Sequence, residues 1–270
     1  MDHLLRDIAP IPAQAWRELE DEAKERLTPQ LSVRRIADFE GPGGWGKSSV
    51  DLGRTDPVAG PPGINSSAMS TKRRRVLPLI EVRVPFTVAR SELDNAERGA
   101  EDIELDDLDR AVREIALLEN CTAFHGWEEA GIEGIVPSTP HDTIALGSDT
   151  ARYPGAVARA VEQLRRSGIG GPYALAIGPE GYTRIMEATE DSGYLLVNHL
   201  TTILGGDLLR TPGLEDAVVL SLRGGDFTLH VGQDISIGYS HHDGETVHLY
   251  LEESFTFRST EPDAAIALTL

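Results

Sequence analysis

Three groups of residues in this 270-residue chain have types and spacings capable of chemistry. Residues 41–48 read GPGGWGKS and fit G-x-x-x-x-G-K-S letter for letter. In a phosphate-binding loop the glycines let backbone amides approach phosphates, Lys47 would reach the outer phosphates and Ser48 would hold magnesium. Such a loop must open a helix whose N-terminus faces the phosphates. The next residues, SVDLGRTDPVAGPPG, supply no such helix, because Gly53, Pro57 and Gly60 interrupt any helical run. The motif therefore reads as a chance match, and a P-loop nucleotide-binding protein is kept only as a competitor.

Cys121 and His125 stand four apart, on one face of an expected helix, where a thiol can pair with a base or both can bind metal. No third ligand or orienting group lies nearby in sequence, so both read as ordinary helix residues. His241, His242 and Asp243, with His248 beyond, have ligand chemistry but occupy a polar turn, which favours solvation. The carboxylates of residues 101–109 can attract cations, and they are also what the first turn of a helix prefers. Spacing alone assembles no Ser/His/Asp set and no pair of catalytic carboxylates. From spacing alone no catalytic site, cofactor or metal is expected.

The bulk numbers agree. A formal charge of −19 opposes sequence-independent nucleic-acid binding, which needs cations to displace counterions. It also means that any self-association must overcome repulsion with packed interfaces. One cysteine excludes an intrachain disulfide. The first residues lack the basic and apolar regions of a signal peptide, and no apolar run reaches the ~18 residues of a membrane span. A cytoplasmic protein with neither membrane nor nucleic-acid partners is expected.

The elements that must position these residues follow from periodicity. Residues 12–27 predict a surface helix, with Trp16, Leu19, Ala23 and Leu27 as a narrow apolar stripe. Residues 31–39 read weakly as a strand. Residues 40–71 are rich in Gly, Pro, Ser and Asp without core-forming pattern, either disordered or an extended arm that finds its partner on another chain. The arm ends on the basic cluster 72–75, which is suited to a neighbouring subunit's carboxylates. Residues 80–88 alternate cleanly, and Pro78 and Pro85 make them an edge or bent strand. Ser91 is positioned to cap a short helix over 92–98. A long spine helix over about 105–130 carries Leu108, Ala111, Val112, Ile115, Leu118 and Thr122 on its stripe. Beyond a weak crossing at 131–150, helices are predicted at 154–166, 179–189 and 194–204, and strands at 173–177, 208–210 and 217–222. Residues 227–231, 235–239 and 247–257 predict a terminal antiparallel sheet with one face buried, its hairpin turned at Asp243-Gly244. The interleaving is α+β, without an internal repeat.

Several stretches also resemble one family from end to end. They are DIAP at 7–10 with Trp16, EGPGGW at 40–45, PLIEVRVPF at 78–86, ELDNAERG at 92–99, GPYAL at 171–175, RGGDF at 223–227, GQDISIGY at 232–239 and ESFTF at 253–257. The chain resembles the encapsulins, shell proteins of bacterial nanocompartments. The resemblance implies a Hong Kong 97 phage-type capsid fold with a peripheral domain, an axial domain and an extended loop. The expected units are an N-terminal helix and arm at 1–40, the extended loop at 41–77, the peripheral domain at 78–131 and 221–270, and the axial domain at 132–220. It further implies a closed icosahedral shell, of about 60 copies for relatives of this length. Such shells enclose a dye-decolourising peroxidase or a ferritin-like iron-oxidising cargo, held by the cargo's C-terminal peptide. The matching docking positions are Leu27, Arg34, Ile36 and Asp38 on one side and Asp234, Ile235 and Ile237 on the other. Glu187, Glu190, Asp191, Ser192 and Gly193 are the candidate pore lining, whose carboxylates would favour cations such as iron. A phage major capsid protein is the competitor with the same fold, and the charge of −19 opposes its task of packing a polyanion.

Overall fold

The structure is a computed structural model that describes residues 3–63, 69–189 and 193–270. Its first sheet is organised by one long strand. Strands β1 (Asp38–Glu40), β2 (Ser49–Pro57), β3 (Lys72–Pro78) and β4 (Ile80–Ala89) precede the spine region. Helices α1 (Ala13–Leu27), α2 (Arg90–Glu97), α3 (Asp106–His125) and α4 (Ile135–Ser138) lie in the first half. The second half holds β5 (Ile144–Ala145), α5 (Tyr153–Arg166), β6 (Tyr173–Ile177), α6 (Pro179–Glu187), α7 (Leu196–Leu204), β7 (Leu208–Arg210) and β8 (Ala217–Ser221). Last come β9 (Phe227–Val231), β10 (Ser236–His242), β11 (Thr246–Ser259) and β12 (Ala265–Thr269).

β11 pairs with β4 along one edge, from Thr246 opposite Ala89 to Phe255 opposite Ile80. Its other edge takes β10 first and β9 after it, with β1 added parallel to β9. β4 alternates buried valines and Phe86 with exposed Glu81, Arg83, Pro85 and Thr87, and β11 is its one partner strand among the described residues, as its prolines require. The terminal sheet departs from expectation in one respect. Both faces of β11 are buried: Val247, Leu249, Leu251, Phe255 and Phe257 on one, and Tyr250, Glu252, Ser254 and Thr256 on the other. The first face packs on α3, which in turn supports α1.

The second sheet runs β5-β12-β8-β6-β7, with α5 against β8 and β12. Its strands β6 and β8 are buried throughout, as continuous apolar runs predict. β12 leaves the sheet of β11 and inserts between β5 and β8, so the chain crosses between the two sheets again after β11.

Several sequence expectations change. Residues 31–39 form no single strand but a one-turn 3-10 helix, Val33–Arg35, followed by the short β1. The arm is not unstructured: β2 and β3 pair antiparallel from Ser49 opposite Pro78 to Pro57 opposite Lys72, as a two-stranded ribbon. The basic cluster is part of β3, with Arg73 and Arg75 each 3.8 Å from Asp56. Ser91 lies inside α2, whose N-cap is Ala89 without a side-chain cap. The spine helix stops at His125, where Gly126 adopts a φ of 81° that a residue with a Cβ rarely takes. No described helix is long and apolar enough to cross a membrane.

Candidate functional site

The phosphate-loop match resolves first. Gly43 and Gly44 donate their amides to the carbonyls of Val231 and Gly232 at 3.0 and 2.8 Å, and the chain proceeds into β2 rather than a helix. The loop's amides therefore bind the first sheet. Cys121 Sγ and His125 Nε2 both address the carbonyl of Gly213, at 3.7 and 2.9 Å, and burial pushes the thiol's pKa up, away from thiolate chemistry. His241 and His248 stack across the β10–β11 pair at 4.1 Å, and His248 Nε2 lies 3.6 Å from Asp243. Among the described residues, no group of three or more His, Cys, Asp or Glu is arranged to hold a metal ion.

The site with a built interior lies between the C-terminal half of α1 and the edge strand β10. It is a groove of about 430 Å³. Ala23 and Leu27, four apart on the α1 stripe, form one wall, and Leu31 extends it past the helix end. Ile235, Ile237 and Leu251 form the other. Lys24 and Thr28 line the α1 rim, and Ser236 the opposite one. An Arg6–Glu20 ion pair at 2.6 Å closes one end. Arg34 and Asp234 close the other.

β10 is the last strand of its sheet, and beside this groove no further strand pairs with its outer edge among the described residues. Tyr239 donates its amide to the carbonyl of Leu4 at 2.8 Å, on the side away from β11. Backbone groups on a strand repeat their direction every two residues, so Ile237 points its N–H and C=O outward as well. An extended peptide laid here would find both a strand edge and apolar pockets.

The floor at the Arg34 end is ionic. Arg34 donates from Nε and Nη2 to Glu119 at 2.9 and 2.7 Å, from Nη2 to Glu253 at 2.8 Å and from Nη1 to Asp234 at 2.9 Å. Glu119 and Glu253 are fully buried, whereas Asp234 is 40% exposed. Burial, reinforced by the charge of Glu119, pushes the Glu253 carboxyl well above the usual carboxylate range, against the pull of Arg34. Burial works against the Arg34 charge, but Glu119, Glu253 and Asp234 outweigh it and raise the guanidinium's pKa. The turn carrying Arg34 is itself pinned. Asn120 Oδ1 accepts from Ser32 Oγ and Val33 N at 3.0 and 3.2 Å, while its Nδ2 donates to the carbonyls of Gln30 and Pro212.

Of the seven positions expected to form a groove, the structure brings five together: Leu27, Arg34, Asp234, Ile235 and Ile237. Ile36 is as buried as Leu27 but does not line the groove, and Asp38 turns away to accept the amide of Gly225 at 2.6 Å. Glu119, Asn120 and Glu253 were not anticipated, because a polar residue at a stripe position reads as an interruption facing solvent. Their one sequence signal is their place inside otherwise apolar runs. Of the pore candidates, Glu187 is an exposed residue ending α6 and Gly193 is exposed with a φ of 78°. Glu190, Asp191 and Ser192 lie outside the described residues.

Comparison with known proteins agrees over nearly the whole length. A family model described as encapsulating protein for peroxidase matches residues 1–256. A type 1 encapsulin shell protein of Rhodospirillum rubrum is 46% identical, over 99% of this chain and 96% of its own. One from Brevibacterium linens is 40% identical over the full length of both. Among solved structures, a virus-like particle from Pyrococcus furiosus superposes with a TM-score of 0.66 at 18% identity, covering 94% of this chain and 98% of that one. A structure titled Mycobacterium phage Bobi gives 0.59 at 14% identity, covering 89% and 90%. The structural likenesses establish an α+β fold of the Hong Kong 97 phage-capsid type, and the sequence relatives establish the lineage within it: the chain belongs to the encapsulin shell proteins.

Proposed function

We propose that copies of this chain, about 60 in a closed icosahedral arrangement, assemble into a shell around a cargo enzyme whose C-terminal peptide docks in the groove between α1 and β10. The observation that carries this reading is the groove itself, an apolar trough beside the outer edge of β10 in a member of a shell-protein family. Leu27, Leu31, Ile235, Ile237 and Leu251 take alternate side chains of an extended segment, and the outward backbone of Ile237 pairs with it. The cargo is a dye-decolourising peroxidase or a ferritin-like protein. The chemistry is the cargo's, and the shell is a barrier and scaffold in the cytoplasm. The segment at 187–193 lines a pore that admits cations. The formal charge of −19 favours a protein cargo over a packaged genome, since a polyanion would be repelled.

Electron microscopy of the purified protein is expected to show uniform hollow particles, and a monomer under assembling conditions would overturn the shell. Ile235→Asp combined with Ile237→Asp is expected to give intact but empty shells. Cargo retained at the wild-type level in those shells would reject the groove as the docking site.

A further inference from the structure

Arg34 sits in the groove, yet four of its five N–H donors go to carboxylates of its own chain rather than to an occupant. A guanidinium has five N–H donors in a rigid fork. One on Nε and one on Nη2 go to Glu119, a second on Nη2 goes to Glu253, and one on Nη1 goes to Asp234. The three acceptors come from α3, β11 and the loop before β10. The Asp234 carboxylate in turn accepts the Ile235 amide on the same Oδ1 atom, at 2.9 Å. The chain of contacts runs from a turn fixed by Asn120, through one guanidinium, to the first residues of β10.

We propose that Arg34, Glu119 and Glu253 are positioning residues that hold Asp234, and with it the backbone of residues 235–237, at a fixed distance from the α1 wall. The proposal rests on the groove being the docking site. It differs from a direct role for Arg34, which would need its donors free. Arginine's planar fork suits a three-way tie, and a lysine ammonium in the same place cannot span three separate carboxylates in one plane.

The tie is also built to respond to proton concentration. The charged groups facing Glu253 are Arg34 from the 3-10 turn, Glu119 from α3 and Asp234 from the loop before β10. Three carboxylates around one guanidinium leave an excess of negative charge when all are ionised. Protonated, Glu253 accepts from Arg34 without competing for its charge, so Glu119 and Asp234 share the cation. Ionised, it draws the guanidinium inward and loosens the hold on Asp234. The groove edge therefore becomes less ordered as pH rises through the titration of Glu253.

Amide hydrogen exchange on assembled shells reads this without any cargo. Protection of the Ile235 amide is expected to fall about tenfold or more in Arg34→Lys. In the wild type the protection factor is expected to decline as pH rises above the ordinary carboxylate range and through the titration of Glu253, whereas Glu253→Gln, fixed in the neutral form, matches wild type at the lower pH and stays flat. Arg34→Lys protection within about twofold of wild type, or a common pH course for Glu253→Gln and wild type, would overturn the positioning role. The same shells are co-expressed with a probe set of two fluorescent proteins, one ending in the C-terminal segment of a dye-decolourising peroxidase and one in that of a ferritin-like protein, each taken from an encapsulin-associated cargo. Loading is expected to fall in Arg34→Lys in step with the lost protection. Shells that load neither probe, wild type included, yet show the protection differences would reject docking in the groove and leave the tie established.

Discussion

Glu252 and Glu253 are adjacent, fully buried and on opposite faces of β11, and the fold compensates them in different ways. Glu252 has two basic partners of its own. Arg83 donates from Nε to one oxygen at 2.6 Å, and His3 lies 2.9 Å from the other. Arg83 comes from the exposed register of β4 and is half in water, stacked over Tyr250. Glu253 shares a single, mostly buried guanidinium with Glu119 and Asp234. The first arrangement closes a sheet edge with a cation that solvent still reaches. The second commits a scarce interior cation to joining three elements, and it leaves one carboxyl with its pKa pushed well above the usual range. A buried charge network of that second kind is weak as a source of stability but strong as a constraint on geometry.

The largest test of this contrast is Arg34→Met, which removes the cation from two buried glutamates. Breaking a buried ion network by deleting one partner costs about 3–5 kcal/mol, read as a lower unfolding midpoint of the assembled protein. Arg83→Met is expected to cost less, about 1–3 kcal/mol for an unmade bond at a buried acceptor, because water and His3 remain at the edge. Equal losses in the two variants would break the comparison. The smallest effect at neutral pH belongs to Glu253→Gln, and its direction with pH is the informative part. The folded carboxyl titrates above the ordinary glutamate value of 4.5. Its stabilising contribution is full below that value and is lost as pH rises towards the folded pKa, because the unfolded chain releases the proton first. The glutamine variant does not titrate there, so its unfolding midpoint should gain on wild type across that window. A constant difference from pH 4 to alkaline pH would mean Glu253 is not held protonated.

How much of this was legible in the sequence depends on whether a segment touches a core. β4 and α5 stood out because one face of each is buried, which imposes periods of 2 and 3.6 on their residues. The β2–β3 ribbon has no buried residue on either strand, so nothing forces alternation, and Gly53 and Pro57 obscured it further. β11 misled in the opposite sense: Tyr250, Glu252, Ser254 and Thr256 have a solvent-facing composition, yet the sheet buries them. In the groove, Leu27, Ile235 and Ile237 followed from family resemblance plus apolar character. Ile36 satisfied the same criteria and does not line the groove, since being apolar does not say from which side of the 3-10 turn at Val33–Arg35 a side chain leaves. The carboxylates beneath Arg34 were hidden because pairing across Arg34–Glu119 and Arg34–Glu253 joins residues with no local relation in the chain.

The insertion of β12 between β5 and β8 has a consequence for timing. Leu268 lies opposite Ile144 and Ala217, so the second sheet is joined across its middle by residues made long after its other strands. Until the ribosome has delivered residues 265–269, β5 has no described partner strand and the edge of β8 stays bare. Contacts this distant in sequence form late. A subunit still being synthesised therefore lacks a finished second lobe with which to meet its neighbours, and shell closure is deferred until whole chains are present in number.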